Sequence, residues 1–109
     1  MEQWDGHNQM MQHIRSYLQS SGYYTKSNME NTKQLFLRHA QYYLQGIIRH
    51  EFFSNLADEL LYTHLVRQKD QLEPDLFHAL LCASSLSSIT TLQQRKKHHK
   101  TLQRYMQTL

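Results

Sequence analysis

"LQGIIRHEFFSNLADELL", residues 44–61, decides how this chain folds. Gly46 stands between two runs that each read as helix. Inside a helix a glycine costs about 1 kcal/mol relative to alanine, whereas just past a helix end it takes the left-handed conformation cheaply. The stretch therefore predicts a corner at Gly46. Past that corner, Phe52, Phe53, Leu56, Ala57 and Leu60 share one arc at about 100° per residue. Arg49, Glu51, Asp58 and Glu59 fall mostly outside it. An apolar arc backed by charge is a helix lying on a core.

Upstream of the corner, Met29, Phe36, Ala40, Tyr43 and Leu44 share one side, with Leu35 and Tyr42 adjoining. So wide a stripe predicts the central helix of the fold. Ser27 precedes Glu30 by three residues, the spacing of a capping box that satisfies free amides at a helix start. Before it, Gly22 ends a first helix over residues 1–20 whose apolar side holds Trp4, Met10, Met11, Ile14, Tyr17 and Leu18. Downstream, "KDQLEPD" breaks the third helix, and Pro74 suits the first turn of a fourth, where no amide is needed. That helix offers Leu76, Phe77, Leu80 and Leu81. "SSLSSITT" is poor helix material. A last helix, from about Thr91 to Gln107, sets Leu92, Leu102 and Met106 against Lys97, Lys100 and Arg104. The expected architecture is all-α, a compact bundle of four to five short helices. Residues 1–92 form the bundle domain, and the basic helix 93–109 packs on that domain.

With 109 residues, 39% of them apolar, the chain can bury one core. Three glycines and one proline are too few for the many turns of an all-β fold. No run of apolar residues reaches the length of a membrane span. The first twelve residues lack the basic-then-apolar pattern of a secretory leader. A lone cysteine, Cys82, allows no internal disulfide, so an intracellular, reducing compartment is expected.

Eight histidines raise the question of a metal. Zinc needs about four converging ligands, usually announced by close pairs of Cys or His at fixed spacing. His98 and His99 are adjacent, which on a helix points them about 100° apart, and Cys82 has no partner at ligand spacing. His64 reads as a core-edge residue. Neither a metal nor a cofactor is expected. Catalysis has no better footing. Asp58 and Glu59 read as a solvated face, Cys82 within "LLCASS" reads as a buried inert thiol, and no phosphate loop or nucleophile elbow is present. No catalytic residue is assigned.

Charge is distributed unevenly. All nine acids lie at or before Asp75, while the last 34 residues carry Arg95, Lys96, Lys97, Lys100 and Arg104 with no acid. The net charge of +3 thus conceals a basic end, which invites nucleic acid, an acidic protein face or an import receptor. Lys97, Lys100 and Arg104 form one cationic ridge able to follow phosphates, with no aromatic interleaved for base stacking. The same residues have the composition of a nuclear localisation signal.

The apolar faces of helices 2, 3 and 4 are broad for so small a bundle. Most such surface is core, but a remainder left as a cleft would accept an amphipathic helix anchored at i, i+3 and i+4. Left against another copy, it would make an oligomer interface.

Gly46, Ile48, Glu51, Phe53 and Ser54, followed by Leu56 and the Glu59-Leu60 pair, resemble the TAFH domain. That is the helical module of the TFIID scaffold subunit and of the ETO corepressors. "DLFHALLCASSLSSI", with Leu76, Leu80, Ser85 and Leu86, is similar to the closing helix of that family, and "HIRSYLQ" to its opening helix. The resemblance spans residues 12–92 and rests on about a dozen positions. The spacing after Phe53 is one residue shorter than the family pattern, and Phe52 stands where an acid is usual. A related short motif occurs in the Ada1 subunit of the SAGA coactivator. The resemblance implies docking of hydrophobic segments of transcription factors, in the nucleus, in a groove between helices. Phe53, Leu56 and Leu60 of helix 3 and Phe77, Leu80 and Leu81 of helix 4 would then be the partner-binding residues. Three readings result: a peptide-docking module of transcription regulation, a basic nucleic-acid-binding protein, and a helical oligomer subunit.

Overall fold

The corner at Gly46 is built as the sequence predicts. Gly46 has φ +79°, its amide donates to the Tyr43 carbonyl at 3.0 Å, and the Ile47 amide reaches back to the Tyr42 carbonyl at 2.8 Å. These two bonds are a Schellman closure, which satisfies carbonyls that the helix end leaves free. The structure, a computed structural model, describes residues 2–25, 29–63, 73–88 and 91–109. Among them run five α-helices: α1 (Glu2–Ser20), α2 (Met29–Leu44), α3 (His50–Tyr62), α4 (Pro74–Ser84) and α5 (Leu92–Thr108). Short 3-10 turns at Tyr23–Thr25 and Ser85–Ser88 extend the links after α1 and α4. No strand occurs among the described residues, and the fold is an all-α bundle.

Several helix ends fall where local chemistry asks for them. Gly22, at φ +80°, closes α1. Pro74 occupies the first turn of α4. Thr91 caps α5, its side-chain oxygen accepting from the Gln94 amide at 3.2 Å. Such a cap stabilises a helix by about 1 kcal/mol. The capping box expected at Ser27, and His64 with it, lie outside the described residues.

The central helix is α3, not α2. It packs against α1, α2, α4 and the 3-10 turn after α4, while α5 lies on α4. Principal extents of 39 × 38 × 23 Å make the bundle two helices thick, given about 10–12 Å per helix. Phe36, Phe53 and Tyr43 form a stack through the middle, with centroids 5.7 and 5.1 Å apart. Ile14, Leu18, Leu56, Leu60, Leu76, Leu80, Leu86 and Leu102 complete the core. Burying each such side chain contributes about 1.5–3 kcal/mol. The wide stripe of α2 has a different explanation from a central position. Part of that side is polar and interior, since Thr32 and His39 are buried with Phe36, Ala40 and Tyr43.

Candidate interaction surfaces

Four of the six residues predicted to receive a partner are core. Phe53, Leu56, Leu60 and Leu80 are buried by the chain's own helices and line no open groove. Helical spacing marks them as apolar and inward, and the inward side here faces α1, α2 and α4. Phe77 is half-buried, and Leu81, one turn on, is 40% exposed. The seam between α3 and α4 is closed further by Ser54, whose hydroxyl donates to the Ser84 carbonyl at 2.8 Å.

An apolar cleft lies elsewhere, between α1 and the start of α3. It measures about 340 Å³ and is lined by Met10, His13, Ile48, Arg49, Glu51 and Phe52. Phe52 forms its wall, because the ring meets His13 and Tyr17 edge-on at 6.2 and 5.8 Å. Two consecutive phenylalanines in a helix point about 100° apart, so Phe53 enters the core and Phe52 is left at its edge. Ile47, on the corner beside this cleft, is 64% exposed.

The basic helix divides the five predicted cations. Lys96, Lys97, Lys100 and Arg104 face solvent, and among the described residues no carboxylate pairs with any of them. Arg95 departs from the predicted patch. It is half-buried near Tyr43 and His99, and its Nε has no partner among the described residues. Leu92, placed by periodicity with Leu102, is 68% exposed because it occupies the first turn, beyond the edge of the bundle.

The inner side of α5 is fixed largely by its adjacent histidines, which do diverge. His98 Nε2 donates to the Cys82 carbonyl of α4, and His99 Nε2 accepts from the Tyr43 hydroxyl of α2 at 2.6 Å. Cys82 Sγ lies 3.4 Å from His98 Nε2, and burial pushes the thiol above its usual range, away from the reactive thiolate. Burial also lowers the pKa of His99, helped by its electrostatic interactions with His98 and Arg95.

Glu59 and His39 are two of several buried polar groups that escaped the sequence reading. Glu59, assigned there to the solvated face, has a side chain only 5% exposed. Its oxygens accept from Arg15 Nε at 3.3 Å and from the Tyr24 hydroxyl at 2.9 Å, tying α1 and the following turn to α3. His39 donates through Nδ1 to the Leu35 carbonyl at 2.8 Å and accepts the Tyr17 hydroxyl at 2.7 Å. Its pKa is lowered chiefly by burial. Arg15, Tyr24 and Tyr17 come from outside the helix that carries each group, so periodicity along one helix cannot reveal them.

No group of three His, Cys, Asp or Glu side chains among the described residues could hold a metal ion. Among the same residues, no helix is long and apolar enough to cross a membrane. Comparison with family models, with curated proteins and with solved structures finds no match to this chain.

Proposed function

We propose that this chain is a non-enzymatic interaction module that docks a short amphipathic segment of a transcription regulator. The docking surface is the cleft between α1 and the start of α3. The observation that carries the reading is the cleft itself. Met10, Ile48 and Phe52 pack on the core yet remain partly uncovered along its edge. Its volume of about 340 Å³ falls in the range of about 300–1,000 Å³ typical of pockets that bury a ligand group. His13, Arg49 and Glu51 around an apolar floor suit a helix that inserts apolar side chains one turn apart and keeps a polar face in water. The resemblance of residues 46–60 to the TAFH pattern points to the same class of partner. It also favours a nuclear protein.

The test is a titration of isotope-labelled protein with amphipathic peptides of about four turns, carrying Leu or Phe at i, i+3, i+4 and i+7. Saturable amide shifts should gather at Met10, His13, Ile48 and Phe52. Met10→Ser should weaken binding by about tenfold, the loss of one anchor of roughly 1.4 kcal/mol, while the thermal melt keeps a single cooperative transition. Shifts gathered instead at Phe77 and Leu81, or no saturable binding by any peptide, would overturn the assignment.

A further inference from the structure

We infer that the outward face of α5 is a second, separate docking surface, and that its partner is the phosphate backbone of nucleic acid. Every exposed residue from Gln93 to Thr108 is Lys, Arg, Gln or Thr. Lys96, Lys100 and Arg104 stand in one row at i, i+4 and i+8, with steps of about 6 Å along the helix, and Lys97 flanks them. Like charges at this spacing destabilise one another. Nothing in α5 offsets them, since the helix contains no acid and no described carboxylate reaches it. A row of anions laid along the face would relieve that repulsion.

The chemistry of the face selects among polyanions. Protein–protein interfaces are anchored by buried apolar, aromatic or Arg side chains at their centre. Leu92, exposed in the first turn at the head of the row, is an isolated apolar side chain there, and from Gln93 to Thr108 every exposed residue is polar or charged. A membrane surface fits no better. An interfacial helix must sink its apolar side into the acyl region, whereas the apolar side of α5 is occupied, with Leu102 buried in the bundle. Lys, Arg, Gln and Thr are the side chains that donate to phosphate oxygens in nucleic-acid complexes. Tyr105, the aromatic nearest the row in sequence, is half-buried and stacks on His78 at 6.3 Å, so no base-stacking platform accompanies the cations. The surface follows a backbone without reading sequence. It is independent of the apolar cleft, which α1 and α3 form.

Fluorescence anisotropy of the whole chain with a labelled 20-base-pair DNA duplex of arbitrary sequence, from 50 to 200 mM NaCl, tests this directly. Four phosphate contacts predict a slope of log affinity against log salt near −3.6, or about 150-fold weakening over that range. Replacing Lys96, Lys100 and Arg104 together by Gln should reduce the slope to about −1. Because all three side chains are exposed, the variant should stay folded, with a melt equal to the parent or slightly above it now that their mutual repulsion is gone. The inference is overturned by absence of duplex binding at 50 mM salt, or by a triple variant that binds as tightly as the parent. It is overturned too if polyglutamate of equal charge binds at least as tightly as the duplex, or if phosphatidylserine-containing vesicles do.

Discussion

Tyr43 Oη and His99 Nε2 lie 2.6 Å apart and join α2 to α5 across 56 residues of chain. The Tyr43 ring also stacks on Phe53, so this bond links the C-terminal helix to the centre of the core. His99 must be neutral to accept the hydroxyl proton, and burial with nearby positive charge holds its pKa below the ordinary 6.5. Just below that value the unfolded chain binds more protons than the folded one, so stability drops as pH is lowered. The contribution of His99 is fully present above about pH 6.5 and is lost as pH falls through the folded value. Thermal melts between pH 7.5 and 5 should show this loss, and His99→Gln should flatten part of it. Tyr43→Phe should cost about 0.5–1.5 kcal/mol at neutral pH, the usual worth of one hydrogen bond.

Glu59 and Arg15 differ sharply in exposure, at 5% and 55% of their side chains, and that asymmetry decides what each substitution does. Arg15→Ala removes a partly solvated charge and leaves the carboxylate with the Tyr24 hydroxyl. The expected loss is about 1 kcal/mol, because solvent screens a half-exposed ion pair. Glu59→Ala removes the buried acceptor that Arg15 and Tyr24 share and opens space in the central helix, and should cost about 2–4 kcal/mol. Urea denaturation of both variants checks the order. Equal losses would show that the pair acts only as surface charge.

The helices and their corners were legible because the determinants are local. Gly22, Gly46, Pro74 and Thr91 each act within a few residues of their own position. The burial of Ile14, Leu18, Phe36, Phe53, Leu56 and Leu102 follows from periodicity as well. What stayed hidden depends on partners distant in sequence. Glu59 reads as one more charge on a charged helix until Arg15 and Tyr24 fold against it. His39 sits among apolar residues because Tyr17 is there to meet its ring. Four of the predicted docking residues, Phe53, Leu56, Leu60 and Leu80, lie in the core for a related reason. An apolar arc states that a side chain is covered and leaves open whether the cover is the chain itself or a partner. Phe52, counted in the same arc as Phe53, lines the cleft because one step of about 100° carries it past the edge of the core.

Phe53 and Leu81 test that distinction between core and surface. Phe53 stacks between Phe36 and Tyr43 and is fully buried, so Phe53→Ala should cost about 3–5 kcal/mol, through lost burial and the cavity it leaves. Leu81→Ser, at a 40% exposed position on α4, should stay within about 1 kcal/mol. Calorimetry on the two variants would separate them by many degrees, since 1 kcal/mol shifts the melting temperature of a chain this size by about 4–8 °C.

Gly46 offers the cleanest separation of backbone strain from packing. A Cβ built on it would find no atom within 4 Å, so an added methyl group meets open space and creates no clash. Its φ of +79° is nevertheless a conformation that side chains with a Cβ disfavour. Gly46→Ala should therefore destabilise the protein by about 1–2 kcal/mol through the backbone alone. Gly46→Asn should cost less, because asparagine tolerates the left-handed region better than other residues. The ranking Gly, then Asn, then Ala in melting temperature supports the Schellman closure of α2 as the device that turns the chain into α3. If alanine matched glycine, the corner would be held by the packing of α2 against α3, and Gly46 would be dispensable.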